Sequence, residues 1–101
     1  MERLPNLAKI FLALSNENRL KVYHWCLKKK YNLSELQEML KISYKSTLQN
    51  VQILEENKLV KREKDRLIGK GVQSLISSTP LKQESIYYKF YLALLEEKKI
   101  K

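Results

Sequence analysis

Apolar residues recur three or four positions apart over most of the chain, which is the spacing of one face of an amphipathic helix. The first such stripe consists of Leu4, Leu7, Ala8, Phe11 and Leu12. It predicts a helix that begins near Pro5, where the missing N–H costs nothing. After polar Ser15 and Asn16, either of which can cap a helix, a second stripe predicts a helix over about residues 17–29.

The stretch 34–57 predicts two short helices joined by a tight turn. Ser34 and Gln37 have the spacing of a capping box, and Ser43 is placed to cap the following helix. Two short helices around such a turn are typical of a helix-turn-helix, whose second helix enters the major groove of DNA.

Residues 59–78 predict a β-hairpin, although its strands alternate poorly. A charged strand leads into Gly69 and Gly71, which suit a tight turn, and a returning strand follows. Thr79 and Pro80 then form a cap and first-turn pair for a last helix over about residues 81–98. Residues 1–101 are therefore predicted to form one domain that is mainly α with a small β-hairpin: a winged helix-turn-helix with extra N- and C-terminal helices.

The net charge of +9 favours a polyanionic partner, because excess Lys and Arg attract nucleic acid, although solubility alone is the plain alternative. Cys26 is the only cysteine, so we expect neither an internal disulfide nor a thiolate zinc site, in keeping with a reducing compartment. No apolar run approaches the length of a membrane span, and the first residues do not read as a signal peptide. We therefore expect a cytoplasmic protein without membrane contact.

Two segments resemble a known family. LALSNENRLKVY (residues 12–23) is similar to the signature of ArsR-type winged-helix repressors, and ISYKSTLQNVQILEENKLV (residues 42–60) resembles their recognition helix and its exit into the wing. The resemblance implies a homodimer that binds a short inverted repeat in double-stranded DNA, joined through terminal helices at residues 1–14 and 81–99. It also implies repression in preference to activation.

The chain departs from the family pattern at several positions. Metal-sensing members carry a Cys-x-Cys pair in the third helix or His and carboxylate clusters at the dimer helices, whereas the predicted third helix here has no Cys and no His. Gln49-Asn50 replaces a frequent Arg-His pair. Lys58 stands where a Gly commonly ends the recognition helix, so Asn57 is expected to take the left-handed conformation. The sensing mechanism and the operator sequence therefore do not carry over, and no metal or other cofactor is expected.

The first two turns of the predicted recognition helix carry polar side chains suited to DNA contact. They are Tyr44, Lys45, Ser46, Gln49 and Asn50. Gln and Asn can pair bidentately with adenine, while Ser and Lys can contact bases or phosphate; the alternative is a merely solvated polar face.

In the wing, Arg66 and Lys70 lie nearest the tip and are expected to follow phosphates. Because acidic residues alternate with these cations, a charged solvent edge is the competing interpretation.

The last predicted helix is apolar around more of its circumference than one packing surface needs. Together with the first helix it predicts a dimer interface. The residues assigned to that interface are Leu7, Phe11, Tyr87, Tyr88, Tyr91 and Leu95. Packing of the last helix on the chain's own first helix is the alternative, and we expect both contacts.

Nothing in the sequence indicates an enzyme: there is one His, no nucleophile beside a plausible base and no phosphate-binding glycine loop. The sequence thus predicts a dimeric DNA-binding transcriptional regulator. A non-specific architectural DNA-binding protein, marked by a steep salt dependence with little specificity, is one alternative. A winged helix used only for protein–protein contact, which would not bind duplex DNA, is another, and an RNA-binding winged helix is a third.

Overall fold

The computed structural model describes residues 7–67 and 71–101, with the backbone alone at 65–67 and 71–73. The described residues form five helices and three strands. In chain order these are α1 (Leu7–Ser15), α2 (Glu17–Lys28), β1 (Tyr31–Asn32), α3 (Leu33–Leu40), α4 (Tyr44–Glu56), β2 (Val60–Leu67), β3 (Gly71–Ser78) and α5 (Ile86–Glu97). This is the predicted winged helix-turn-helix, mainly α with a small antiparallel sheet.

The sheet contains a third strand that the sequence did not reveal. Its order is β1-β3-β2, and both pairings are antiparallel. In the hairpin the register runs from Val60 opposite Ser78 to Leu67 opposite Gly71. β1 adds only Tyr31 and Asn32, paired with Ile76 and Leu75. Two residues are too few to show a period of two, so this strand could not be read from the pattern.

The start of α3 differs from the predicted cap. Asn32, not Ser34, begins this helix: its side chain accepts from the Glu35 N–H at 2.8 Å, and the Glu35 carboxylate accepts from the Asn32 N–H at 2.9 Å. This reciprocal capping box replaces the predicted Ser34–Gln37 pair. Asn16 caps α2 and Ser43 caps α4, as their residue types predict.

The last helix begins later than predicted. Thr79 does not cap it, because the Thr79 N–H donates to the Leu59 carbonyl at 2.9 Å and so extends the contact between the ends of the wing strands. Ser85 caps α5 instead, accepting from the Tyr88 N–H, and the helix starts at Ile86. The predicted start of α1 near Pro5 lies outside the described residues.

The side of α1 that the core buries is not the predicted stripe. Ile10, Ala13 and Leu14 are 4%, 2% and 0% exposed and join the core. Leu7 and Leu12, from the predicted stripe, are 37% and 68% exposed. These two members of the stripe therefore face outward, and the chain itself buries the adjoining side of the helix.

Three helices end on a lysine in the left-handed conformation. Lys41, Lys58 and Lys99 have φ values of 61°, 61° and 56°. Behind α4, the Lys58 N–H donates to the Glu55 carbonyl and the Leu59 N–H to the Leu54 carbonyl, the bond pair of a Schellman motif. The expectation that Asn57 takes this conformation is wrong: its φ is −94°, and the strain falls on Lys58.

Candidate nucleic-acid interface

One face of α4 is anchored in the core, and this leaves its opposite face free to meet a partner. Val51 and Leu54 are fully buried, as is Leu36 of α3. Thr47 is also fully buried, and its Oγ1 donates to the Ser43 carbonyl at 2.9 Å, so its hydroxyl is satisfied within the helix. The helical period then places residues 45 and 49 opposite this anchor, whereas residues 46 and 50 lie on its flanks, where they are half-buried.

The predicted DNA-contacting residues lie together at the start of α4. Tyr44 is 48% exposed, Lys45 and Gln49 are exposed, and Ser46 and Asn50 are half-buried. Among the described residues, the side chains of Tyr44, Lys45 and Gln49 make no hydrogen bond or ion pair. These three groups are therefore available to a ligand without breaking any contact within the fold.

Asn50 differs from its neighbours because its amide is already engaged. Its Oδ1 accepts from Arg19 Nη1 of α2 at 3.2 Å. The same guanidinium donates through Nε to the Ala13 carbonyl at 2.8 Å and through Nη2 to the Leu12 carbonyl at 3.2 Å. Sequence reasoning missed Arg19, which it used only as part of a family signature, because the partners lie up to 31 residues away.

At the base of the wing, two charged residues are committed to contacts within the chain. Arg62 of β2 donates to Glu55 Oε1 of α4 through Nη2 at 2.8 Å and Nε at 3.1 Å. Lys30 Nζ lies 2.8 Å from Glu63 Oε1, and this lysine holds the pKa of the Glu63 carboxyl below its usual value. The predicted phosphate contacts fall elsewhere: the side chain of Arg66 and the whole of Lys70 lie outside the described residues.

Some of the residues assigned to a dimer interface pack within the chain, and others remain at least partly exposed. Phe11 of α1 stacks on Phe90 of α5, with ring centroids 3.8 Å apart, so the terminal helices pack on each other within the chain. Tyr87, Tyr88 and Leu95 are half-buried beside the core, and Leu7 is exposed. The packing predicted as an alternative is therefore present, and it leaves part of this surface uncovered.

Tyr91 does not belong with the surface residues. It is 4% exposed, its ring meets Tyr23 edge-on at 5.3 Å, and its hydroxyl lies 2.7 Å from His24 Nδ1. Burial raises the pKa of Tyr91 to about 12. Assigning Tyr91 to a dimer surface is contradicted by this burial, since a second copy cannot reach a ring that lies inside the chain's own core.

Large apolar side chains are exposed on both terminal helices. Leu12 of α1 is 68% exposed, and Ile86 and Leu92 of α5 are 58% and 44% exposed. None of the three was in the predicted interface set. The breadth of the apolar pattern on both helices was the available signal, but the pattern does not show which side of each helix the core takes.

The described residues show no sign of thiol chemistry or of metal binding. Cys26 is buried, and burial raises the pKa of its thiol to about 12, which opposes thiolate chemistry. The described part of the chain gathers no group of three or more His, Cys, Asp or Glu side chains that would hold a metal ion. Within that part, no helix is both long and apolar enough to span a membrane.

Comparison with known proteins supports the fold. No family model matches the chain, and no curated protein matches it significantly. Among solved structures, it is similar to a transcriptional regulator homologue from Pyrococcus horikoshii, with 25% identity, 92% of each chain covered and a TM-score of 0.66. It is also similar to the transcriptional repressor BigR from Xylella fastidiosa, with 22% identity, 94% of this chain and 87% of BigR covered, and a TM-score of 0.63.

A third similar structure carries the family name. It is the homodimeric winged helix-turn-helix DNA-binding domain of a possible ArsR-family transcriptional regulator from Mycobacterium bovis. The identity is 16%, the match covers 93% of this chain and 80% of that domain, and the TM-score is 0.67. The resemblance to ArsR-type winged-helix regulators is thus confirmed at the level of the fold.

Proposed function

We propose that this chain is a transcriptional regulator that binds double-stranded DNA through the start of α4. The observation that carries the proposal is the set of exposed polar side chains on the first two turns of α4, with Lys45 and Gln49 unpaired within the described residues. A recognition helix meets base edges with this part. The net charge of +9 supplies the attraction to phosphate that such a contact needs.

The regulator acts as a homodimer in this proposal. The support is the exposure of large apolar side chains on α1 and α5, namely Leu12, Ile86 and Leu92, together with the homodimeric state of the similar M. bovis domain. A dimer would set the two α4 helices about 34 Å apart, one turn of DNA.

The wing, through Arg66 and Lys70, follows the flanking phosphates. We further propose that the protein is cytoplasmic and acts as a repressor, in line with the similar repressor BigR.

Selection of bound duplexes from a random pool, at two salt concentrations, tests the function directly. We expect a recovered sequence with two related half-sites and an affinity that falls steeply as salt rises. Equal recovery of all sequences would show an architectural protein instead. Absence of duplex binding at low salt would overturn the proposal and favour a role in protein–protein contact.

Replacement of Gln49 by Ala tests the recognition helix. We expect a loss of about 1–3 kcal/mol at one base pair of the selected site, because a bidentate amide contact to a base is removed. Gln83→Ala is the matched control, since Gln83 is an exposed glutamine between β3 and α5. If the Gln49→Ala variant binds the selected duplex and the scrambled duplex each with wild-type affinity, this assignment is contradicted.

Sedimentation equilibrium tests the dimer. Leu92→Glu places a charge on the exposed apolar surface of α5 and is expected to shift the protein towards monomer at micromolar concentration. Lys89→Ala is the control, because Lys89 is also exposed on α5 and the substitution changes the net charge by the same amount. A wild-type protein that sediments only as monomer would exclude the proposed interface.

A further inference from the structure

The Arg19 guanidinium joins three parts of the chain that are distant in sequence. Through Nε and Nη2 it donates to the carbonyls of Ala13 and Leu12, at 2.8 Å and 3.2 Å, and through Nη1 to Asn50 Oδ1 at 3.2 Å. The carbonyls of the last turn of a helix lack partners within that helix, so Arg19 completes the end of α1. It also reaches the face of α4 that the proposed function assigns to DNA.

Arg19 makes these contacts without a carboxylate partner. No Asp or Glu among the described residues forms an ion pair with it, so all of its acceptors are neutral oxygens. Partial burial lowers the pKa of Arg19, yet a guanidinium stays charged at any physiological pH. Burial removes water from the Arg19 guanidinium, and its hydrogen bonds to neutral oxygens replace that water without neutralising its charge. These contacts therefore position the groups that they join.

The chemistry of arginine settles which way the Asn50 amide faces. An arginine side chain has N–H donors and no acceptor, so the Asn50 atom that meets Nη1 is the carbonyl oxygen. The amide nitrogen Nδ2, which makes no hydrogen bond with another described residue, is then the group left for an outside partner. Bidentate pairing with adenine needs both the oxygen and the nitrogen of the amide to face the base edge.

We infer that Arg19 is a positioning residue that holds Asn50 as a hydrogen-bond donor towards DNA. Asn50 then meets an acceptor, and guanine offers two adjacent ones in the major groove, N7 and O6. We assign the adenine pairing to Gln49, because its amide makes no hydrogen bond with the described residues and can turn both its oxygen and its nitrogen towards one base, whereas the Asn50 oxygen is held towards Arg19. This inference rests on the proposed function.

The same guanidinium links the two surfaces of the proposed regulator. Leu12 supplies one of its acceptor carbonyls and, at 68% exposed, is the most exposed large apolar residue among the described residues. Asn50 supplies another acceptor from the recognition helix. The orientation of Asn50 is therefore set from the end of α1, next to the proposed dimer surface.

Side-chain NMR of the free protein tests the contact without DNA. We expect Arg19 Nε–H and Nη–H resonances that exchange slowly, and a shift of the Nη signal in Asn50→Ala but not in Gln49→Ala. If the Arg19 signals are the same in Asn50→Ala as in the wild type, the contact is absent and the inference is overturned.

Duplex selection with three variants tests the consequence for DNA. Arg19→Met keeps the apolar stem but removes every donor, and we expect the base preference at one position of each half-site to weaken or to move from guanine towards adenine. Asn50→Asp keeps an acceptor for Arg19 but has no N–H, and we expect on the order of tenfold weaker binding at that position with no decrease in Tm. Arg19→Lys, which keeps the charge and fewer donors, is expected to restore part of the preference.

These experiments distinguish failure of the Arg19 inference from failure of the proposed function. If the wild type selects a specific sequence but Arg19→Met and Asn50→Asp select the same one with equal strength, the inference fails and the proposed function stands. If the wild type binds no duplex, both fail. Should Arg19→Met not fold, Arg19→Lys and the NMR comparison of Asn50→Ala with Gln49→Ala still decide, because neither adds a negative charge next to the DNA.

Discussion

The start of α4 and the base of the wing are both rich in polar side chains, but they use them differently. On α4, Tyr44, Lys45 and Gln49 are exposed and make no hydrogen bond or ion pair within the described residues. On β2, Arg62 is bound to Glu55 and Glu63 is bound to Lys30. The first region keeps its groups available, whereas the second uses them to hold the strand against the rest of the chain.

This difference shows that charge along a sequence overstates what a surface offers to DNA. The chain carries 20 Lys and Arg residues, yet Arg62 is committed to α4 and Arg19 to α1 and Asn50, so neither is free for phosphate. A cation already paired within the protein gains little from a phosphate, because the first partner must be given up. The start of α4 is therefore the better candidate for affinity.

Charge reversal at Lys45 is expected to have the largest effect. In Lys45→Glu, removal of a phosphate contact and added repulsion should weaken duplex binding at least tenfold, or about 1.4 kcal/mol, at low salt. The slope of log affinity against log salt should fall by about 1 for each phosphate that the protein no longer neutralises. Fluorescence anisotropy over a salt series measures both quantities.

Lys101→Glu is the matched control for Lys45→Glu. It makes the same change in net charge at an exposed position beyond α5. If both variants bind duplex DNA equally weakly, the attraction comes from overall charge, and the distinction between α4 and the rest of the surface is wrong. An unchanged Tm in both variants shows that folding is not the cause.

The two ends of α4 provide a second test through their left-handed lysines. Lys41 precedes the start of α4 and Lys58 follows its end, and both have φ of 61°. Glycine adopts this conformation without the clash of a Cβ atom, so Lys41→Gly and Lys58→Gly should each stabilise the fold by about 1 kcal/mol. Thermal unfolding should show a rise of about 4–8 °C in each case.

The same pair of variants also separates stability from DNA binding. Both remove one positive charge, but the positions lie at opposite ends of a helix about 20 Å long. That separation exceeds the Debye length of about 8 Å at physiological salt. Lys41→Gly should therefore weaken duplex binding more than Lys58→Gly does. The reverse order would place the DNA at the wrong end of α4.

The sequence predicted the helices well where the apolar period and the caps agreed. Asn16 and Ser43 stand directly before clear stripes, and both cap as expected. Prediction failed where a local sequence signal was overridden by a contact between residues distant in sequence. Thr79-Pro80 has the composition of a helix start, but Thr79 bonds to Leu59 across the sheet, and only the folded chain brings those residues together.

The candidate site could be located from the sequence but not resolved. Periodicity placed residues 44–50 on one helix, because that relation is local. It could not show that Asn50 is held by Arg19, or that Tyr91 is buried against Tyr23 and His24, because each pair spans more than 30 residues. For α1, the pattern indicated a stripe, but the choice of which side is buried depended on where α2 and α5 pack.

The Arg62–Glu55 pair tests whether the wing base is structural. Both side chains are partly exposed, at 28% and 39%, so solvent screens the pair and its coupling should be about 0.5 kcal/mol. A double-mutant cycle with Arg62→Met and Glu55→Gln, followed by denaturant unfolding, measures this energy. Duplex affinity should change little in Glu55→Gln. A coupling of zero together with a large decrease in affinity in Arg62→Met would assign Arg62 to DNA instead.

The Lys30–Glu63 pair should have the smallest effect on stability. The direction in which that effect changes with pH follows from the titration of the Glu63 carboxyl. Lys30 lowers the pKa of Glu63 in the folded protein, so folding favours the charged form. The pair therefore contributes stability above the unfolded pKa of about 4.3, and the contribution is lost as pH falls through the lower folded value. Glu63→Gln should reduce Tm slightly near pH 7 and not at all near pH 2. A Tm difference that persists in acid would show that the Glu63 side chain acts through packing and not through its charge, and the wing base would then be held by Arg62 and the strand pairing alone.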